Sequence, residues 1–365
     1  MRLLTDEQMR QFIVQGFLIL KTDFPKSFHD RLTAQLSEVY RVEGNPGNNL
    51  LPRVRELQDV FDHPVVTGAL TSVLGPGYMM HAHRHGHFNN TRKHGVWHKD
   101  SYWGYRRMRN HRPWWAMIMY FPQDTPVELG PTGVMPGTQN FETCTFSTED
   151  SFGEATAAGE AGTFALIHYD IWHRATANTA GRERFMLKFE FMRTQAPVQP
   201  SWEHEDATWV TPEFPEVVFS SEVMWRDTWD WLTGAGQVEG GRAEVAAAVE
   251  VEVGGVEREG EGGELGMSVE REGEKGELGT SVEREGERGE PGTGGMGAAE
   301  VRGLLEQLAG GDERQRTAAA DRLALAGVPE TSALHADVVA GLATALAGAC
   351  EPAALNAAYG LARCG

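Results

Sequence analysis

The stretch Trp97-His98-Lys99-Asp100 is the pattern around which the rest of the chain is organised. Residues two apart on an extended strand point to the same face, so His98 and Asp100 can bind one metal ion. His173, 75 positions after His98, supplies a third ligand of a suitable type. Two imidazoles and one carboxylate leave open positions on a ferrous ion, so the pattern favours a non-haem iron site.

Several short motifs accompany this block in a fixed order. They are Leu4–Gln8 with Gly16–Leu20, Trp97–Asp100, Leu129–Thr132 with Pro136–Thr138, Trp172-His173, and finally Asn178 and Arg184. In order and spacing they resemble the phytanoyl-CoA dioxygenase family of iron(II)/2-oxoglutarate oxygenases, over roughly residues 1–235. Each motif alone is a weak signal, whereas the ordered set is specific.

The resemblance implies a mainly β protein with α-helices, in which flanking helices cover a double-stranded β-helix core of the jelly-roll or cupin type. It implies that His98, Asp100 and His173 bind Fe(II) and are the catalytic residues. The implied reaction consumes O2 and 2-oxoglutarate, hydroxylates a C–H bond of a small molecule, and releases succinate and CO2. A non-catalytic scaffold, in which the barrel and the C-terminal segment bind partners, is the alternative.

The resemblance implies that Arg184 anchors 2-oxoglutarate, through the two hydrogen bonds that a guanidinium can make with a carboxylate. The resemblance adds Thr176 and Asn178 as cofactor-binding residues. Two motifs depart from the family's pattern. This chain has Ala175 where the family commonly has a hydroxyl residue, two positions after the distal histidine, and Thr138-Gln139 where the family usually has Ser-His.

The sequence leaves two alternative assignments open. His168-Tyr169-Asp170 repeats the His-x-Asp pattern, and His204 is the later ligand that it would need. No arginine follows His204 at the family spacing. Arg182 is an alternative anchor for 2-oxoglutarate, but it lies nine positions after His173, and Arg184 lies eleven.

Two polar groups near the predicted site have more than one interpretation. Four alternating histidines would line one face of a strand: His81, His83, His85 and His87. They could form a second metal site or a substrate wall, but polar barrel residues or surface groups are favoured, because nothing nearby supplies a matched carboxylate. A basic cluster interleaved with tryptophans follows the metal block and would suit an anionic substrate or a solvated loop: Arg106, Arg107, Arg109 and Arg112.

Composition limits the class of protein. Of the 365 residues, 41% are hydrophobic, which is ample for a buried core. No run of eighteen apolar residues occurs and the start lacks a basic region before an apolar stretch, so we expect a cytoplasmic protein that does not enter membranes. The net charge of −19 argues against nucleic-acid binding. The cysteines, too few and too scattered for a disulfide framework, are expected as free thiols: Cys144, Cys350 and Cys364.

Shifts in composition predict three regions. Residues 1–236 contain all ten tryptophans and form the oxygenase domain. Residues 237–297 form a disordered acidic linker, rich in Gly and Glu, in which a 13-residue unit recurs. Residues 298–365 repeat with a period of 38 and resemble HEAT-type helical repeats. This array of two units looks incomplete or docks elsewhere, and it is a candidate site for a protein partner.

Local patterns predict the elements of the first region. Thr5 with Gln8 forms a capping box for a helix over 6–15, followed by a strand over 17–21. A second helix is expected over 28–42, and strands are expected over 117–121, 163–168 and 185–192. In the last strand phenylalanines alternate with other residues, and this parity puts Arg184 opposite the Phe face.

Overall fold

The computed structural model describes residues 1–100, 112–149, 152–213, 219–235 and 296–364. Within these ranges the chain forms antiparallel β-sheets with α-helices, as the sequence predicts. Most of the predicted linker over 237–297 lies outside the described residues. None of the described helices is both long enough and apolar enough to span a bilayer.

The N-terminal elements have the boundaries that their sequence signals predict. The Thr5 hydroxyl accepts a hydrogen bond from the Gln8 backbone N–H, and the Gln8 side chain accepts one from the Thr5 N–H. This reciprocal pair begins helix α1 (Asp6–Gln15). Gly16 ends the helix with a φ of 79°, and strand β1 (Phe17–Lys21) follows directly.

Four further helices precede the rest of the main sheet. Helix α2 (Lys26–Glu43) extends slightly beyond the predicted range of 28–42. The sequence analysis did not predict the next three, α3 (Leu50–Arg53), α4 (Leu57–Asp62) and α5 (Pro64–Leu74). They are short or apolar throughout, so the periodic pattern that identifies an amphipathic helix is weak there. Their apolar side chains belong to the main core.

The main sheet has five strands in the order β1-β6-β3-β8-β2, and every neighbouring pair is antiparallel. Its later members are β2 (Met79–Asn89), β3 (Trp115–Tyr120), β6 (Thr163–His168) and β8 (Arg184–Met192). The predicted range of β6 is confirmed, and the predicted ranges of β3 and β8 are within two residues of the observed ones. A register shift interrupts the pairing of β2 between Met80 and Arg84.

The two faces of β8 differ, as its alternation predicts. The ring of Phe61 in α4 lies 4.4 Å from that of Phe189 and 5.9 Å from that of Phe191. The Phe face therefore packs on the helices. The opposite face begins with Arg184, which is directed into the interior between the sheets and is only 1% exposed.

A smaller antiparallel sheet completes the site-bearing region. It has the order β5-β4-β7, with β4 (Thr132–Val134), β5 (Ala155–Thr156) and β7 (His173–Ala175). Val134 pairs with His173, so the second predicted histidine ligand lies on a strand of this sheet.

Helix α6 (Glu222–Thr233) packs on the core through its tryptophans, and Trp229 is fully buried. Four more helices follow among the described residues: α7 (Ala298–Gly310), α8 (Glu313–Ala326), α9 (His335–Leu346) and α10 (Glu351–Cys364). They have an apolar core of their own. They also form one compact unit with the N-terminal region. The HEAT-type assignment stays a prediction. All three cysteines are free thiols, as expected.

Candidate metal centre

The two predicted histidine ligands face each other across an antiparallel bridge. The N–H of His98 donates to the carbonyl of His173 at 3.0 Å, and the reverse hydrogen bond is also 3.0 Å long. The predicted strand at Trp97–Asp100 is reduced to this single bridge, because neither Lys99 nor Asp100 belongs to a strand. The bridge still brings the imidazole centroids to 4.4 Å from each other.

Both imidazoles are oriented by the same local hydrogen bond. Nδ1 of His98 lies 2.8 Å from the carbonyl of Val96, and Nδ1 of His173 lies 3.0 Å from the carbonyl of Ile171. A carbonyl can only accept, so Nδ1 carries the proton in each ring. Nε2 is then the unprotonated nitrogen that can bind a metal ion.

Asp100 completes a group of three ligand atoms that all lie within 4.8 Å of one another. Its Oδ2 is 3.2 Å from Nε2 of His173. When two ligand atoms each lie roughly 2.1 Å from one metal ion and their bonds to it form a right angle, the two atoms are ~3 Å apart. Oδ2 of Asp100 and Nε2 of His173 therefore have the separation of adjacent metal ligands. Among the described residues this is the single group of histidine, cysteine and carboxylate side chains that could hold a metal ion.

Lys188 contacts the carboxylate of Asp100 from the inner face of β8. Desolvation raises the pKa of Asp100, but the neighbouring His173 and the charge of Lys188 together outweigh it and hold the pKa well below its usual range. Desolvation, followed by the neighbouring His173, lowers the pKa of His98. Both shifts favour the protonation states that a metal ion requires.

A cavity of about 170 Å³ opens beside these ligands. Its lining is cationic and apolar: His87, Phe88, Asn89, His98, Met119, Thr132, His173, Arg174, Ala175, Arg184, Met186 and Lys188. Arg174 is neutralised by Glu154, with 2.6 Å between Nη2 and Oε2. Arg184 and Lys188 are the other Arg and Lys side chains of the lining, and they make the cavity suitable for an anionic ligand.

Arg184 provides the second polar group of this cavity. Its Nε and Nη2 donate to the carbonyl of Gly130 at 3.0 Å and 2.6 Å, whereas its buried Nη1 has no hydrogen-bond partner among the residues that the structure describes. Desolvation lowers the pKa of the guanidinium to about 10, so it remains charged at neutral pH. Arg182, the alternative anchor, is exposed and does not line the cavity.

Thr176 and Asn178 stabilise the backbone around the cavity. The Thr176 hydroxyl donates to the carbonyl of Pro131 at 2.7 Å. Nδ2 of Asn178 donates to the carbonyls of Asn89 at 2.9 Å and Arg182 at 2.6 Å. Neither residue is among the described residues that line the cavity. Their direct binding of a cofactor stays a prediction.

The alternative register at His168-Tyr169-Asp170 is not assembled into a metal site. His204, its expected later ligand, lies beside Asp6, with Nδ1 2.8 Å from Oδ1. Lys99, which lies between His98 and Asp100, contacts the backbone near this alternative register. Its Nζ donates to the carbonyls of Thr138 at 3.0 Å and Gln139 at 3.4 Å, and it also contacts the carbonyl of Asp170.

The histidines of β2 have different surroundings. His87 lines the cavity, and desolvation, followed by the charge of Lys188, lowers its pKa to about 3. Nδ1 of His81 lies 3.5 Å from Oε2 of buried Glu190, so the expectation that no carboxylate lies near these histidines is wrong. Glu190 belongs to β8, and the pairing of β8 with β2 brings it next to His81. The sequence alone does not reveal which strands pair. The side chain of His83 lies outside the described residues.

The predicted basic cluster is described only at its end, since Arg106, Arg107 and Arg109 lie outside the described residues. Arg112 pairs with Asp227 at 3.3 Å and stacks over Trp231. The sequence analysis did not single out Lys188 or Lys99 as site residues. The alternation of β8 carried a signal for Lys188, because residues four apart on a strand share a face.

Comparison with known proteins gives one family match and several similar solved structures. Residues 24–186 match the family model described as Phytanoyl-CoA dioxygenase (PhyH). No curated protein sequence matches the chain. Similar solved structures include the non-heme alpha ketoglutarate dependent carbocyclase SnoK from nogalamycin biosynthesis, at 16% identity and a TM-score of 0.43, over 52% of this chain and 84% of that one.

Two other solved structures align over a similar share of the chain. EctD from S. alaskensis, solved with 2-oxoglutarate and 5-hydroxyectoine, is 14% identical with a TM-score of 0.45, over 52% of this chain and 76% of that one. HygX from Streptomyces hygroscopicus, solved with nickel and 2-oxoglutarate, is 14% identical with a TM-score of 0.44, over 55% of this chain and 90% of that one.

Proposed function

Because the chain contains a domain of the phytanoyl-CoA dioxygenase (PhyH) family at residues 24–186, we propose that it is an Fe(II)- and 2-oxoglutarate-dependent oxygenase. The proposed reaction hydroxylates a C–H bond of a small molecule and releases succinate and CO2. One observation carries the proposal. Two imidazole nitrogens and a carboxylate oxygen lie within 4.8 Å of one another beside a cavity that Arg184 also lines, and Nη1 of Arg184 has no hydrogen-bond partner among the described residues.

His98, Asp100 and His173 would hold the ferrous ion, since two neutral imidazoles and one carboxylate suit a site that keeps positions for other ligands. When bound, iron and 2-oxoglutarate together supply the oxidising chemistry with O2. The hydrogen bonds to the carbonyls of Val96 and Ile171 hold the two rings in the metal-binding tautomer. The low pKa of Asp100 keeps its carboxylate ionised.

Arg184 would bind the far carboxylate of 2-oxoglutarate. Two of its donors are occupied by the carbonyl of Gly130, which fixes the guanidinium before the co-substrate arrives. Nη1 remains to pair with the anion in a site shielded from water, where a charge-assisted hydrogen bond is strong. In the same proposal residues 1–236 form the oxygenase domain, 237–297 a linker and 298–365 a helical-repeat segment.

The test is anaerobic reconstitution of the purified full-length protein with Fe(II), followed by measurement of succinate formed from 2-oxoglutarate across a panel of small molecules. We expect one Fe(II) per chain and turnover that depends on iron, 2-oxoglutarate and O2. Iron binding and turnover should both be lost in each of the variants His98→Ala, Asp100→Ala and His173→Ala. Stoichiometric iron in the double variant His98→Ala/His173→Ala would contradict the proposal, and folded wild-type protein without iron or turnover would favour the scaffold alternative.

A further inference from the structure

The last helix of the chain is bonded to a turn in the oxygenase region. The carboxylate of Glu351, in the first turn of α10, accepts hydrogen bonds from the backbone N–H of Glu142 at 2.5 Å and of Thr143 at 2.8 Å. It also accepts one from the Thr143 hydroxyl at 2.5 Å. Three donors from one turn thus converge on a single ionised side chain, and charge-assisted bonds of this kind are stronger than neutral ones.

A second contact joins α8 to the start of α6. Helix α6 has no side-chain cap of its own. Asp321, which is 2% exposed, accepts hydrogen bonds from the N–H groups of Glu222 at 3.1 Å and Val223 at 2.9 Å, and from the Ser220 hydroxyl at 2.7 Å. The orphan donors at the beginning of one helix are therefore satisfied by a residue about a hundred positions later.

The segment 141–146, which contains the turn held by Glu351, contacts the tryptophans that precede both histidine ligands. The ring of Phe146 is 5.0 Å from that of Trp97 and 6.2 Å from that of Trp172. Nε1 of Trp172 donates to the carbonyl of Phe141 at 3.4 Å. Trp97 and Trp172 immediately precede His98 and His173 in the chain. A displacement of the segment 141–146 would therefore act on the backbone of both ligands.

The segment 141–146 depends on such outside contacts for its order. None of its residues, all of which the structure describes, belongs to a helix or strand. Phe141 packs against Phe219 at 5.9 Å, and Phe219 immediately precedes Ser220, which Asp321 holds. Both contacts from the C-terminal helices thus converge on the same side of the site.

We propose that the C-terminal helices are a positioning element of the metal centre, in which Glu351 orders the segment 141–146 and thereby aligns His98 and His173. Asp321 supports the same surface from the start of α6. The inference rests on the proposed metal-binding function of the two histidines. Glu351 is a positioning residue, since it acts through the turn and contacts neither metal nor substrate.

The test uses full-length apo-protein and Co(II) as the metal probe, because its visible absorption reports binding without turnover. Glu351→Ala should weaken Co(II) affinity by about fivefold and speed amide hydrogen exchange in 141–146. Its melting temperature should stay within about 2 °C of the wild type, because the apolar cores are untouched. The Kd for 2-oxoglutarate of the Co(II) protein should change less than about twofold, since Arg184 is held by Gly130 instead.

Two further variants are the controls. Glu351→Gln keeps the length and one acceptor oxygen, so its Co(II) affinity and exchange should lie between those of the wild type and Glu351→Ala. Glu306→Ala removes an exposed glutamate from α7 and should leave every readout unchanged. Wild-type affinity and exchange in Glu351→Ala would overturn the proposal, and so would losses that merely parallel a fall in melting temperature.

The failure of the proposed function has a different signature. If wild-type protein binds no Co(II), the metal-binding function fails and the alignment of ligands fails with it. Hydrogen exchange still decides whether Glu351 orders the segment 141–146. If the wild type binds Co(II) and Glu351→Ala binds it equally well, only the positioning role is refuted.

Discussion

Arg184 and Gly130 are joined by two hydrogen bonds from one guanidinium to one backbone carbonyl, with Nε at 3.0 Å and Nη2 at 2.6 Å from the oxygen. The pair links the first residue of β8 to the turn before β4. These two hydrogen bonds fix the orientation of the guanidinium, and they leave Nη1 without a hydrogen-bond partner among the described residues. The end of the cavity that we propose as the anion-binding end is therefore fixed by a contact between residues 54 positions apart.

Arg184→Ala should raise the apparent constant for 2-oxoglutarate by more than about tenfold while changing metal affinity much less. Removing one partner of a buried charge pair costs about 2–5 kcal/mol, and 1.4 kcal/mol corresponds to a factor of ten. The measurement is an anaerobic titration of 2-oxoglutarate into the Fe(II) protein, followed by its charge-transfer band. Arg182→Ala is the matched control, and a large effect in that variant with none in Arg184→Ala would mean that the wrong arginine is assigned.

Gly130→Ala should weaken 2-oxoglutarate binding by about fivefold or more. Gly130 has a φ of +71°, and an added Cβ would lie 2.6 Å from the carbonyl oxygen of Thr176, so the carbonyl that holds Arg184 must move. Gly181→Ala is the control, because its φ is +68° but the nearest atom to its Cβ is 3.7 Å away. Equal 2-oxoglutarate affinities in the two variants would show that backbone strain alone explains the loss.

Lys188→Met should increase the affinity for a divalent metal about tenfold at low ionic strength. The ammonium of Lys188 contacts the carboxylate of Asp100, so it competes with a metal ion for that ligand and repels the incoming positive charge. Competition with a chromophoric chelator measures the change. Lys93→Met, which removes an exposed lysine of the same charge, should bind metal as the wild type does. Weaker metal binding by Lys188→Met would show that the lysine supports the carboxylate instead.

Asp6→Asn should destabilise the fold by about 2 kcal/mol at neutral pH, because Asp6 accepts charge-assisted bonds from the 202–206 loop. Its carboxylate is bonded to Trp202 Nε1 at 2.6 Å and to the backbone N–H groups of Glu205 and Asp206, both at 2.9 Å. Desolvation raises its pKa, but the hydrogen bond from Trp202 and the further bonds outweigh that effect and lower the pKa to about 2.

The sign of the pH dependence follows from that shift. A carboxyl whose folded pKa lies below its unfolded value stabilises the fold above pH ~4, and the stabilisation is lost as pH falls towards about 2. The difference in unfolding free energy between wild type and Asp6→Asn should therefore shrink over this range. Urea unfolding at several pH values measures it. The exposed Asp59→Asn variant should show no such trend, and a constant difference for Asp6→Asn would contradict the assignment.

Local sequence signals predicted the elements that depend on neighbouring residues. The capping box at Thr5 set the start of α1, and the alternation in β8 separated its Phe face from the face of Arg184. Short helices such as α3 and α4 escaped prediction, because four or six residues give no periodic pattern. The strand expected at Trp97–Asp100 is a single β-bridge. His98 pairs with His173 through backbone hydrogen bonds, whereas Lys99 and Asp100 belong to no strand.

The sequence by itself determined the identity, order and spacing of His98, Asp100, His173 and Arg184, and the residue types in turn determined the chemistry that they can perform. The tertiary structure alone decided what each of them touches. The bridge between the histidines, the lysine beside Asp100, the carbonyl of Gly130 on Arg184 and the carboxylate of Glu351 on a distant turn are all long-range contacts. Such contacts depend on how sheets and helices pack together, and no local pattern of the chain encodes that packing.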